Sequence, residues 1–181
     1  MLFRSNAYGL KYVALRYFNV AGAHHSGVIG EAHNPETHII PIILQVPLEQ
    51  REKMTLFGGD YPTADGTCIR DYIHIEDLID AHILALEYLK NGGESDIFNL
   101  GTETGFSNRE VVAAARKITG HPIPVVIGER RAGDPAVLVA SSKKARNLLG
   151  WAPKRTEMDE IIASAWAFQS KHPKGYVKSE E

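Results

Sequence analysis

Tyr12-Val13-Ala14-Leu15-Arg16-Tyr17-Phe18-Asn19-Val20, followed by Ala21-Gly22-Ala23, decides how this chain is read. Val13, Leu15, Tyr17 and Phe18 are strand formers and Gly22 stops the run, so the segment predicts one strand over 12–20. Working outward, Met54 to Phe57, Asp96 to Leu100 and Pro124 to Ile127 read as further short strands. Cys68 to Ile75 alternates Ile69, Asp71, Ile73 and Ile75 against its neighbours and predicts an extended segment. Helical spacing fills the gaps. Leu78, Ile79, His82, Ile83, Leu86 and Leu89 form a stripe over 76–89, and Ser107 with Glu110 makes a capping box for a helix over 108–119. Ser141 or Ser142 opens another helix through Leu149, and Thr156 with Asp159 opens the last, through Gln169. Thr37 is the expected cap of a helix over 39–50. Pro41 suits its first turn, whereas Pro47 should kink or end it. Alternating strands and helices predict an α/β fold.

Composition narrows the function classes. With 181 residues, 44% hydrophobic and 23% charged, the chain has the make-up of one folded domain, or one and part of another. A net charge of -2 carries no electrostatic footprint for nucleic acid, and no apolar run reaches membrane-spanning length. One cysteine, Cys68, excludes an internal disulfide and fits a reducing cytoplasm. Met1 to Lys11 lacks the apolar core of a signal peptide.

No Gly-x-Gly-x-x-Gly or Gly-x-x-Gly-x-x-Gly is present. Gly22 to Gly27 has the glycine spacing of a P-loop but continues with Val28-Ile29 in place of Lys and Ser/Thr, so it reads as a loop. The eight histidines show no zincin or finger spacing, and no metal is expected. Arg130-Arg131 stands before a Gly133-Asp134-Pro135 turn, where one guanidinium fork could meet a diphosphate or simply be solvated. Arg70 lies in an apolar stretch and needs a partner: Asp71, Asp77 or a bound phosphate.

Five stretches, in this order, resemble the UDP-glucose 4-epimerase group of the extended short-chain dehydrogenase/reductase family. They are Leu15 to Ala23 (LRYFNVAGA), Leu56 to Pro62 (LFGGDYP), Asp65 to Leu78 (DGTCIRDYIHIEDL), Phe98 to Gly101 (FNLG) and Arg130 to Pro135 (RRAGDP). The resemblance covers the carboxy-terminal portion of that family. It implies a partial Rossmann-like parallel sheet, late strands only, joined to a smaller α/β substrate-binding domain. The implied division is 1–23 and 68–101 for the NAD-binding side, 24–67 and 102–170 for the substrate side, and 171–181 as a frayed tail.

The resemblance also implies roles. Phe18 would back the nicotinamide of NAD, and Asn19 would bond the sugar-nucleotide phosphate. His38 and Ile39 would begin the covering helix. Thr55, Leu56 and Phe57 would read uracil along a strand edge. Arg70 and Arg131 would neutralise the diphosphate, and Asp134 would accept from the ribose hydroxyls. Val137 would stand beside the hexose C2, where its small size implies tolerance of N-acetylated sugars. The family interconverts UDP-glucose and UDP-galactose through a 4-keto sugar, with NAD taking and returning hydride, and the resemblance suggests a homodimer. Its glycine fingerprint and catalytic Tyr/Lys pair are not found here: Lys11 follows Tyr8 by three residues, not four. No catalytic residue is therefore expected in this chain, and these residues alone should bind without turnover, as a truncation, frameshift or half of a split enzyme. The remaining readings are another UDP-sugar epimerase or decarboxylase, or a non-catalytic UDP-sugar-binding module.

Overall fold

The computed structural model describes Ser5 and residues 7–176. The strand expected over 12–20 is two: β1 (Val13–Arg16) and β2 (Asn19–Ala21). The break at Tyr17-Phe18 is a change of partner. β1 pairs in parallel with β6 (Asp96–Asn99), whereas β2 pairs in parallel with β5 (Tyr72–His74). The extended segment expected over 68–75 divides in the same way, at Asp71, into β4 (Ile69–Arg70) and β5. β4 is the middle of a three-stranded sheet, antiparallel to β7 (Phe106–Ser107) and parallel to β9 (Val137–Leu138). β3 (Met54–Phe57) runs parallel to β8 (Val125–Gly128).

From Ile39 onward the helices are α1 (Ile39–Leu44), α2 (Ile75–Lys90), α3 (Asn108–Thr119), α4 (Lys143–Leu149) and α5 (Met158–Gln169). Helix α3 has the predicted capping box: the Ser107 hydroxyl accepts from the Glu110 N–H while the Glu110 carboxylate accepts from the Ser107 N–H. Helix α1 is shorter than expected and ends at Leu44, after which residues 45–49 continue as turns. Pro47 explains this, having no N–H to donate back to Ile43. Thr37 is not the cap. His38 occupies that position without a capping hydrogen bond, and Glu36 Oε1 instead accepts from the Thr37 and His38 N–H groups, at 2.7 Å each. Thr156 does not cap α5 either; Glu157 stands at its start.

Two apolar cores result. One gathers Ile40, Ile43, Leu44, Leu56, Tyr72, Val111, Ile161 and Ile162 between α1, α3 and α5. The other gathers Ile73, Leu78, Ala81, Phe98, Leu100, Leu149 and Trp151 beneath α2 and α4. Tyr72 and Ile73 are neighbours on β5, and strand alternation sends one into each core. Asp71 fixes the crossing. Its fully buried carboxylate accepts from the Thr102 N–H (2.9 Å) and hydroxyl (2.8 Å) on one oxygen, and from the Ala140 N–H (3.1 Å) on the other. At the far end of β5, His74 caps α2, its Nδ1 accepting from the Glu76 N–H. Nε2 therefore carries the proton and donates to Ser164 Oγ at 3.0 Å. Gly22 lies against this ring with φ +83°; a Cβ there would sit 2.7 Å from the imidazole.

Candidate functional site

A cavity of about 1410 Å³ opens along the seam between the two cores. Its wall is built from the strand switches. Phe18, 43% exposed, lies in the break between β1 and β2, and Asn19 begins β2, where its Nδ2 donates to the Asp71 carbonyl at 3.0 Å. One amide donor and the Asn19 carbonyl oxygen are left for the cavity. His38 and Ile39 line it from the start of α1, and Thr55, Leu56 and Phe57 from β3. The N–H groups of Met54 and Gly58 donate to Pro124 and Gly128, on the β8 side. Alternate residues Thr55 and Phe57 thus turn their amides to the opposite edge, which no described strand covers. Leu56 is buried in the first core.

Arg70, Arg131 and Asp134 close the same cavity. Arg70 has its partner, and it is neither Asp71 nor Asp77. Its guanidinium pairs with Asp134 Oδ1 at 2.7 Å and donates to the Pro135 and Ile69 carbonyls, both at 2.8 Å. Asp71 serves Thr102 and Ala140. Asp77 accepts from the Lys154 and Arg155 N–H groups and from the Arg155 guanidinium. Arg131 is arranged differently. Its guanidinium lies over the Phe57 ring, 4.1 Å from the centroid, and among the described residues its side chain makes no hydrogen bond or ion pair. The adjacent Arg130 is committed elsewhere, to Asp60 and over the Tyr61 ring. Val137 stands apart: it lies on β9 opposite Ile69, 52% exposed, and does not line the cavity.

The cavity also takes residues that motif reading passed over. Tyr72 lines it from beneath; its hydroxyl is buried with no partner among the described residues, and burial pushes its ionisation above the ordinary tyrosine range. Glu76 gathers His25 (2.7 Å) and Arg155 (2.8 Å). Burial works upward on its carboxyl, but the His25 hydrogen bonds and the Arg155 charge take it below the usual value. Glu31, His33, Glu36 and His38 form a second acid–imidazole group, in which burial, then the Glu36 charge, raises the Glu31 carboxyl. The available signal for this group was the doubled Glu-x-His, 31–33 and 36–38, folded at Asn34-Pro35.

Chemically, the cavity offers a free cationic fork on an aromatic face, an arginine–aspartate pair, a side-chain amide and an open strand edge. These are the donors and acceptors that a nucleoside diphosphate needs. The chain belongs to the NAD dependent epimerase/dehydratase family, which its residues 3–101 match. It is 59% identical over 170 residues to the UDP-glucose 4-epimerase of Lacticaseibacillus casei, covering 94% of this chain and 51% of that protein. A crystal structure of a UDP-glucose 4-epimerase superposes with a TM-score of 0.95 at 57% identity, over 98% of this chain and 54% of that one. The Bifidobacterium longum UDP-glucose 4-epimerase in complex with NAD+ and UDP gives a TM-score of 0.88 at 37% identity, over 96% and 52%. The chain thus spans about half the length of the curated relatives it matches. No helix of the described residues is long and apolar enough to cross a membrane.

Proposed function

We propose that this chain forms the sugar-nucleotide-binding half of a UDP-glucose 4-epimerase, taking UDP-hexose into the cavity along the seam. The observation that carries the reading is Arg131: a guanidinium with no carboxylate partner among the described residues, stacked on Phe57, beside an Arg70–Asp134 pair. Uracil lies along the open edge of β3, where the Thr55 and Phe57 amides supply both donor and acceptor. Arg131 and Arg70 meet the diphosphate, Asn19 adds an amide, and the second oxygen of Asp134 accepts from a ribose hydroxyl. His38 closes the site from the start of α1.

NAD fits these residues at one end only. Phe18 offers an apolar face to a flat ring, but no glycine turn that could cradle a pyrophosphate occurs in these 181 residues. Hydride exchange at the sugar C4 is what NAD supplies when bound. The residues described here bind and orient the nucleotide, and no step through the cofactor is derived from them. The same reading makes the protein cytoplasmic and, in association with its amino-terminal half, dimeric; substrate-side segments 24–67 and 102–170 then face NAD-side segments 1–23 and 68–101.

The test is calorimetric. UDP, UDP-glucose and UDP-galactose should bind the chain competitively with similar affinity, and ADP markedly less well, since the strand edge reads a pyrimidine. Equal binding of ADP and UDP would refute it.

A further inference from the structure

We infer that Glu31, His33, Glu36 and His38 form a binding site for a divalent transition-metal ion of the zinc type at the edge of the cavity, which Glu31 and His38 line. Each of the four residues offers one ligand atom, and these atoms lie within 4.8 Å of one another. Around a tetrahedral Zn²⁺ with bonds near ~2.1 Å the donors sit about 3.4 Å apart, so modest side-chain rotation closes the set. Two imidazoles with two carboxylates are a donor set for zinc or cobalt rather than for calcium, and their charge balances a dication.

The backbone explains how the set comes together. Glu31-Ala32-His33 and Glu36-Thr37-His38 are two non-helical arms, folded against each other by the bend at Asn34-Pro35. Each arm contributes one carboxylate and one imidazole to the group. His38 Nδ1 lies 2.5 Å from Glu31 Oε1 and 3.2 Å from Glu36 Oε1, and His33 Nδ1 lies 3.7 Å from Glu36 Oε1. The Thr37 and His38 N–H groups hold Glu36 Oε1 in place, a fixed outer shell of the kind that orients metal ligands.

The pair of like charges is the second indication. Glu31 and Glu36 are mostly buried, with side-chain exposures of 28% and 10%, and no lysine or arginine is paired with either among the described residues. The other cluster, His24, His25 and Glu76, differs on this point: Arg155 already neutralises its single carboxylate. An ion at the first site would fasten the arms of the loop that leads into α1, and with it the position of His38. The site stands whether or not the cavity takes UDP-hexose.

The experiment uses the full chain, stripped with a chelator and titrated with ZnCl₂ in a calorimeter, with Co²⁺ absorption as the geometric readout. One Zn²⁺ per chain is expected, with tetrahedral Co²⁺ bands. His33→Asn and Glu31→Gln, both at partly exposed positions and checked for folding by circular dichroism, should each weaken binding at least about tenfold. His25→Asn should leave it unchanged. Absence of Zn²⁺ binding at millimolar metal, or binding that survives His33→Asn and Glu31→Gln, or that is lost in His25→Asn, overturns the proposal.

Discussion

Replacing Arg131 by alanine isolates the electrostatic part of the proposed site, because among the described residues this guanidinium makes no hydrogen bond or ion pair and lies over the Phe57 ring. A cation over an aromatic ring at an exposed position is worth about 0.5–1 kcal/mol, so Arg131→Ala should lower folding stability by no more than that. Hydrogen bonds to a charged group contribute roughly 1.5–3 kcal/mol. Arg131 is exposed, and water screens it, which places its contact with a diphosphate at the low end, about 1.5–2 kcal/mol. The dissociation constant for UDP should therefore rise roughly 10- to 30-fold. Arg131→Lys keeps the charge but loses the fork and should fall between. The discriminating measurement is calorimetry with uridine beside UDP, at low and high salt. Uridine has no phosphate, so its affinity should barely respond to Arg131→Ala, and the UDP effect should shrink as salt is added. If uridine and UDP weaken together, Arg131 supports the base platform on Phe57 and the diphosphate assignment fails. If neither weakens, the cavity does not use this arginine at all.

Asp71→Asn should destabilise the chain by about 3 kcal/mol, because one amide oxygen replaces two carboxylate oxygens and an NH₂ group turns toward the Ala140 or Thr102 donors; urea titration checks this, and an unchanged midpoint would refute it. His74 carries a pH signature. Burial, and then the Arg155 charge, depress its pKa below 6.5, so the unfolded chain binds the extra proton. Its stability contribution is complete above pH 6.5 and is lost as pH falls toward the lower folded value; urea midpoints should fall less between pH 7.5 and 5.5 in His74→Gln than in the parent. The 181 residues by themselves, supplied with NAD and UDP-galactose, should form no UDP-glucose above background in a coupled assay, and measurable conversion would refute the division of labour proposed here.

How much of this was legible in the sequence depends on what each pattern encodes. The capping box at Ser107 and Glu110 is local chemistry, and the structure has both of its hydrogen bonds. The early end of α1 is likewise local, since a missing N–H at Pro47 acts whatever surrounds it. The switches at Tyr17-Phe18 and at Asp71 were not legible. A strand that changes partner keeps its period-two alternation, so nothing in 12–20 or 68–75 marks where one ladder ends and the next begins. The two-residue strands β7 and β9 are too short for any periodicity. Arg70 shows the same limit at the site: its neighbours Asp71 and Asp77 looked available, but both are committed to other groups, and the partner that the fold supplies is 64 residues away. The position of Val137 off the cavity lining has a related reason. Its place on β9 is set by pairing with Ile69, a tertiary fact.

These switches also explain why the cavity lies where it does. A continuous strand from 12 to 20 would complete its ladder with β6 and leave no gap. Instead the chain leaves β6 after Arg16, exposes Tyr17 and Phe18, and resumes beside β5 at Asn19, whose N–H and side-chain amide both reach the Asp71 carbonyl. Asp71 is the residue at which the partner segment also changes sheets. Two ladders are therefore broken at one level, and their breaks are tied to each other. The buried Asp71 carboxylate then binds that level to Thr102 and Ala140, which precede α3 and α4. With the backbone pinned from three directions, Asn19 and Arg70 are displayed from strand ends, and Phe18 from the two-residue break between β1 and β2. Such an arrangement would hold the groups of the proposed site in register before any ligand arrives, and it separates the expected roles of Asp71, whose loss should unfold the seam, and Arg131, whose loss should spare the fold and weaken only the grip on an anion.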